Sequence, residues 1–180
     1  MGQRQVGRWA ALAACTVTAT MSVVLDRISK DAAEALLANG PRNCIPGLLD
    51  FHLTYNRGAA WGLFEGARIY FIVMAALAVT VVLAYLVSQR QHPALIVVSL
   101  GLFVGGSLGN AIDRVLSGSV VDFLHLLFVD FPIFNIADSC ITVGVCGLML
   151  SFWLTSRQQR SAADGEENAP APQDATDADL

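Results

Sequence analysis

Charge is nearly absent from four stretches of the chain, residues 9–25, 69–89, 93–112 and 131–156, where Asp138 is the one exception. As helices rising about 1.5 Å per residue, such runs reach about 25 Å or more, close to the roughly 30 Å hydrocarbon core of a bilayer. They predict membrane helices over 9–28, 69–89, 93–114 and 134–156, the first continuing past Asp26 toward Lys30. The third opens on Pro93, which suits a first helical turn, after the tight turn Gln89-Arg90-Gln91-His92.

The polar intervals between these runs are unequal. In residues 31–68, Asp50-Phe51-His52-Leu53-Thr54-Tyr55-Asn56 alternates polar and apolar, the period of a half-buried strand. Gly58, Gly62 and Gly66 then mark a turn-rich stretch. Residues 115–133 hold a second β-like run, Gly118-Ser119-Val120-Val121-Asp122-Phe123. An even number of spans puts both intervals on one side. The fold class is therefore all-α integral membrane: four transmembrane helices within residues 9–156, and a small strand-containing cap from 31–68 and 115–133. A sheet this small is marginal alone, so it should rest on the helix ends or the lipid interface.

Composition agrees with this class: of 180 residues, 54% are hydrophobic and only 14% charged, whereas soluble domains are about a quarter charged. The net charge of −4 comes mostly from residues 157–180, rich in Ala, Asp, Glu and Pro without an aromatic, which read as a disordered acidic tail. No nucleic-acid partner is expected. Arg4, Arg8, Arg90, Arg157 and Arg160 on the terminal side face Arg27, Lys30, Arg42, Arg57, Arg68 and Arg114 on the other, so a Lys/Arg count does not orient the chain. Arg4 and Arg8, flanking the first span, favour cytoplasmic termini, with residues 1–8 as the cytoplasmic lead-in. Cys15, Cys44, Cys140 and Cys146 have no metal-ligand spacing and read as small buried apolar residues.

Ionisable side chains at membrane-helix ends are costly and tend to face a polar interior. Here they gather on one side. Asp26 and Lys30 are four apart at the end of the first span, Asn110 and Arg114 four apart at the end of the third with Asp113 beside them, and Asn135 and Asp138 three apart at the start of the fourth. Asp122 lies in the interval between. Singly, each has a plainer reading: an interfacial ion pair, a helix ending at the headgroups, an N-cap with an acidic N3 residue, a loop carboxylate. Jointly they suggest chemistry. No Ser, Cys or Lys stands out with a base partner, and His52, His92 and His125 are scattered. Two carboxylates held close share one proton, so one can deprotonate a water while the other protonates a carbonyl oxygen.

The segments Asp26-Arg27-Ile28-Ser29-Lys30, Tyr55-Asn56-Arg57-Gly58-Ala59-Ala60, Gly105-Gly106-Ser107-Leu108-Gly109-Asn110-Ala111-Ile112-Asp113-Arg114, Val121-Asp122-Phe123 and Phe134-Asn135-Ile136-Ala137-Asp138-Ser139 closely resemble the lipoprotein signal peptidase family, the bacterial type II signal peptidases. The resemblance covers residues 9–156 in order and departs from the family pattern at Arg27-Ile28 and in residues 128–133. It implies a catalytic dyad of Asp122 and Asp138 near the outer face of the cytoplasmic membrane, with cytoplasmic termini and an extracytoplasmic cap. The implied substrate is a prolipoprotein bearing diacylglyceryl on its lipobox cysteine, cut just before that cysteine. Asp26, Lys30, Asn56, Arg57, Asn110, Asp113, Arg114 and Asn135 would bind substrate or support the site. Trp61 and Phe64 would cover the substrate, and Gly105, Gly106 and Gly109 would let helices or a lipid chain approach closely. No metal or other cofactor is expected; membrane lipids are the surroundings, and the chain would act as a monomer. The competing expectations are a small proton-coupled transporter, whose key acid would sit near mid-helix, and an assembly protein with interfacial ion pairs only.

Overall fold

The computed structural model describes residues 4–58 and 66–167, so Trp61 and Phe64 lie outside the described residues. Among the described residues, four helices are long and apolar enough to cross a membrane. They are α1 (Arg8–Leu37), α2 (Arg68–Ser88), α3 (Ala94–Leu116) and α4 (Ile136–Glu167). Ile69, Val73, Leu77, Phe152 and Trp153 lie exposed on the outside of the bundle, as suits an apolar solvent.

α3 is the central helix and packs against the other three. Its glycines allow the close approach. A Cβ on Gly105 would stand 2.6 Å from the Ala19 carbonyl oxygen, and one on Gly109 2.6 Å from Oδ2 of Asp26. The sequence leaves open whether helices or lipid use these glycines; at Gly105, Gly106 and Gly109 the neighbours are α1 and α4.

The strands are β1 (Gln5–Gly7), β2 (Arg42–Ile45), β3 (Leu49–Asn56), β4 (Gln91–Pro93) and β5 (Val120–Leu126). β3 is the centre of an antiparallel sheet with β2 and β5 on its two sides, and β1 pairs with β4 at the other end of the bundle. The larger sheet rests on the end of α1, where Ala33, Leu37 and Phe123 form a small core with Phe51, Leu53 and Leu124 against it. That support is what a sheet of this size requires.

Three boundaries differ from the sequence expectation. α1 runs on to Leu37 because Asp26, Lys30, Ala33 and Leu37 are all buried at helical spacing, the last two beneath the sheet. α4 continues through Glu167, so the expected acidic tail begins as helix; the Arg157 guanidinium lies 5.3 Å from the Trp153 ring centre in this extension. The turn at 89–93 contains β4, because residues 91–93 find partners in β1. Of the cysteines, Cys15 is buried, but Cys44 and Cys146 are exposed, on a strand edge and on the outside of α4.

Candidate active site

Four elements deliver polar side chains to one end of the bundle. α1 supplies Lys30, which is fully buried. Its Nζ reaches Asp26 Oδ2 at 2.7 Å, Asp113 Oδ2 at 2.7 Å and Asn110 Oδ1 at 3.2 Å. An ammonium has three N–H donors, and each is used. The Asp26/Lys30 pair that reads in sequence as an interfacial i,i+4 bridge is therefore part of a buried triad, the setting in which an unpaired charge costs most. Asp26 Oδ1 also accepts from the Ala137 backbone N–H at 2.9 Å, satisfying a free donor in the first turn of α4. Asp113 accepts from Arg27 Nη1 at 3.2 Å and from the Val121 backbone N–H at 3.4 Å, tying α1 and α3 to the strand that carries Asp122.

The asparagines link this ion network to the other two aspartates. Asn110 receives Lys30 on its carbonyl and donates Nδ2 to Asp138 Oδ1 at 2.7 Å. Asn135 caps α4 reciprocally: its Oδ1 accepts from the Asp138 backbone N–H at 2.9 Å, while its own N–H donates to Asp138 Oδ2 at 3.2 Å. The capping reading of Asn135 and Asp138 is thus correct, and the same side chain does more. Asn135 Nδ2 donates to Asp122 Oδ1 at 2.6 Å and to the Asn110 carbonyl at 3.1 Å. Asn56, at the end of β3, donates to Asp122 Oδ2 at 3.0 Å and is held by the Gly58 N–H on its Oδ1 at 2.9 Å.

Asp122 and Asp138 thus each accept one N–H on each oxygen, and among the described residues neither is in a salt bridge. Asp26 and Asp113 neutralise Lys30 instead. Burial, and then the negative charge of Asp138, push the Asp122 carboxyl up to about 7, against the opposing pull of Asn56, Asn135 and Lys30. A cavity of about 520 Å³ opens onto both carboxylates and is bounded by Asn56, Asn110, Arg114, Val120, Phe134 and Val143 among others. Arg114 stands at its edge, donating to the backbone carbonyls of Asn110 at 3.2 Å and Gly58 at 2.8 Å, with its guanidinium 4.4 Å from the centre of the Phe71 ring.

Of the residues singled out in the sequence, Asp26, Lys30, Asn56, Asn110, Asp113, Arg114, Asp122, Asn135 and Asp138 come together. Arg57 does not: its side chain is exposed, and its carbonyl accepts from Gly66 N–H at 3.3 Å. Sequence reasoning missed Arg27 as a partner of Asp113, Phe71 beneath Arg114, and the Gly58 carbonyl. It also missed that Phe134 pairs with Leu124 and so brings residues 131–134 to the cavity wall. The i,i+4 spacing of Arg27 and Asp31, which do pair, was the one available signal. Among the described residues no group of three His, Cys, Asp or Glu side chains could hold a metal.

Residues 18–154, most of the chain, match the family described as signal peptidase (SPase) II. The chain belongs to the signal peptidase II family. Among its relatives, the lipoprotein signal peptidase of Symbiobacterium thermophilum is 41% identical over 145 residues, covering 79% of this chain and 95% of that protein. The lipoprotein signal peptidase of Ectopseudomonas mendocina is 36% identical over 149 residues, covering 78% and 88%. A bacterial membrane enzyme solved by the in meso method at 2.3 Å superposes with a TM-score of 0.74 and 28% identity, covering 87% of this chain and 94% of the other. A second such enzyme, at 1.9 Å, gives 0.67 and 32%, covering 77% and 91%. The signal peptidase II likeness spans all four helices and leaves the transporter alternative without support.

Proposed function

We propose that this membrane peptidase is of the aspartic type, that Asp122 and Asp138 are its catalytic pair, and that it removes the signal peptide of diacylglyceryl-modified prolipoproteins just before the lipidated cysteine. The observation that carries the assignment is the contrast among the four aspartates: Asp26 and Asp113 are bound to Lys30, whereas Asp122 and Asp138 share a cavity, held by N–H donors and free of a cation.

The chemistry follows from one proton held between two carboxylates. The ionised member takes a proton from a water as its oxygen bonds to the scissile carbonyl carbon. The protonated member gives its proton to the carbonyl oxygen. The resulting diol collapses, the C–N bond breaks, and the departing cysteine nitrogen takes the proton first removed from water. Burial and the neighbouring Asp138 raise the Asp122 carboxyl to about 7, so the pair, titrating as a unit, holds a proton near neutral pH. Asn56, Asn110 and Asn135 fix the oxygens, and Arg57 would serve the substrate from outside the cluster. Residues 9–156 would form the peptidase domain. The membrane is the cytoplasmic one, with cytoplasmic termini and the pair near the outer face, and the protein acts as a monomer without a cofactor.

The test is cleavage of a diacylglyceryl-modified precursor by purified protein in detergent. Asp122→Asn and Asp138→Asn should each lower the rate by about 10²–10⁴ or more, with expression and thermal unfolding showing a folded protein. Cleavage persisting near the unsubstituted rate in either variant sinks the pair.

A further inference from the structure

At the end of the bundle away from the carboxylates, α4 carries a small cavity of its own. It has a volume of about 350 Å³ and is lined by Trp153, Ser156, Arg157 and Arg160. Spacings of three, four and seven residues put these side chains on one face of the helix. One turn back on that face stands Met149, which is 68% exposed, as Trp153 is 55% exposed. Arg157 lies 21 residues beyond Ile136, about 32 Å along the helix, and a bilayer core is about 30 Å thick. With Asp138 at one membrane face, the two arginines therefore stand at the headgroup level of the opposite face, where the apolar crossing segment ends at Arg160. Trp9 at the start of α1 is exposed at the same end, and indole rings favour that level.

We propose that this cavity binds the phosphate of an anionic phospholipid, whose acyl chain lies along Trp153 and Met149. Read from the bilayer core outward, the face is apolar, then aromatic, then cationic, the order of a phospholipid from tail to phosphate. The Arg157 guanidinium lies 5.3 Å from the Trp153 ring centre. Stacking uses the flat face of the guanidinium and leaves its five in-plane N–H donors for a ligand. Among the described residues neither Arg157 nor Arg160 is in a salt bridge, whereas Arg27 is held by two carboxylates. A planar fork of this kind meets phosphate oxygens two at a time. Anionic lipid is favoured over zwitterionic because the described lining holds two cations and no carboxylate to meet an ammonium. Asp164, Glu166 and Glu167 follow at least four residues beyond Arg160, about 6 Å farther from the core. Position favours a lipid over a soluble phosphate: Phe152, at 65% exposure, and Met149 clad the helix for the bilayer right up to the cavity. The inference is independent of which aspartates are catalytic.

The experiment measures, by native mass spectrometry of the purified full chain in neutral detergent, the affinity for one molecule of phosphatidylglycerol or of phosphatidylcholine with the same acyl chains. An arginine at an anionic surface is worth about fivefold in affinity, so two should favour phosphatidylglycerol by about 30-fold. The double variant Arg157→Gln, Arg160→Gln should bring the two lipids within about threefold of each other. Arg90→Gln, an exposed arginine in the turn between α2 and α3, is the control and should keep most of the preference. Thermal midpoints in phosphatidylcholine should match among the three proteins, since every exchange is on the surface. Equal binding of the two lipids by the unsubstituted protein, or a preference that survives the double variant, overturns the site. A loss as large in Arg90→Gln overturns it too, in favour of diffuse attraction by the whole face. Displacement of the lipid by millimolar inorganic phosphate at constant ionic strength would overturn the lipid assignment and give the cavity to a soluble phosphate.

Discussion

At the end where α1 emerges beneath β3 and β5, the bundle gathers Lys30, four aspartates and three asparagines; at the opposite end β1 and β4 lie against Ala11, Leu86 and Val97 around a single buried histidine. Both ends use short antiparallel strands to close off the helices, yet they treat polar groups differently. His92 holds the Leu86 carbonyl through Nε2 at 3.0 Å and packs edge-on to Tyr85, but its Nδ1 is the one buried side-chain N or O atom among the described residues without a partner. At the carboxylate end every such atom is partnered. A half-satisfied polar network is worse than an apolar core, so completeness there is what permits two unpaired carboxylates to be held in place.

The comparison breaks most severely at its central cation. Lys30→Met leaves Asp26 and Asp113 buried without their shared partner, and stability should fall by about 3–5 kcal/mol, read as a lower thermal midpoint in detergent. A change below about 1 kcal/mol would mean that the network is a bystander. The second test is pH. Asp122 has a folded value raised to about 7, above that of a carboxylate in an unfolded chain, so the folded state binds more protons across that interval. This group's contribution to stability is therefore full below about 4 and is lost as pH rises through about 7. Asp122→Asn removes the titration, and its thermal midpoint should vary less between pH 4 and 8 than that of the unsubstituted protein. A parallel pair of curves would contradict the burial argument. Third, Asn56 stabilises the charged form of Asp122. Asn56→Ala should shift the alkaline limb of the pH–rate profile upward by about one pH unit; a downward shift would place the proton differently. The smallest effect belongs to the other end. His92→Leu discards an unsatisfied atom along with one hydrogen bond, so stability should change by less than about 1.5 kcal/mol, and cleavage by no more than twofold or so.

The bilayer made much of this fold readable in the chain, because a membrane helix has to be a long apolar run. The sequence-based spans fall within α1 to α4 apart from a residue or two at their ends. What hydropathy could not see were the extensions: Ala33 and Leu37 bury against protein rather than lipid, and residues 157–167 of α4 are too polar to register. β1 and β4 escaped because three-residue strands carry no period, and their pairing joins residues some 86 positions apart. At the site, spacing placed most of the clustered side chains at one end of the bundle, since helical periodicity sets that much. It could not show which aspartates would be spent on Lys30 and which left free, because that depends on Gly109 admitting Asp26 beside α3 and on Asn110 facing two ways.

The overhang of the two longest helices bears on which membranes the protein tolerates. α1 has 30 residues and α4 has 32, about 45 and 48 Å against a core of roughly 30 Å. They overshoot in opposite directions, α1 beneath the larger sheet and α4 past Arg157. α4 is fastened at its start through Ala137 to Asp26, so a thicker or thinner bilayer is met by sliding the interface along its free end. Hydrophobic mismatch would then be taken up at the free end of α4, away from Asp138.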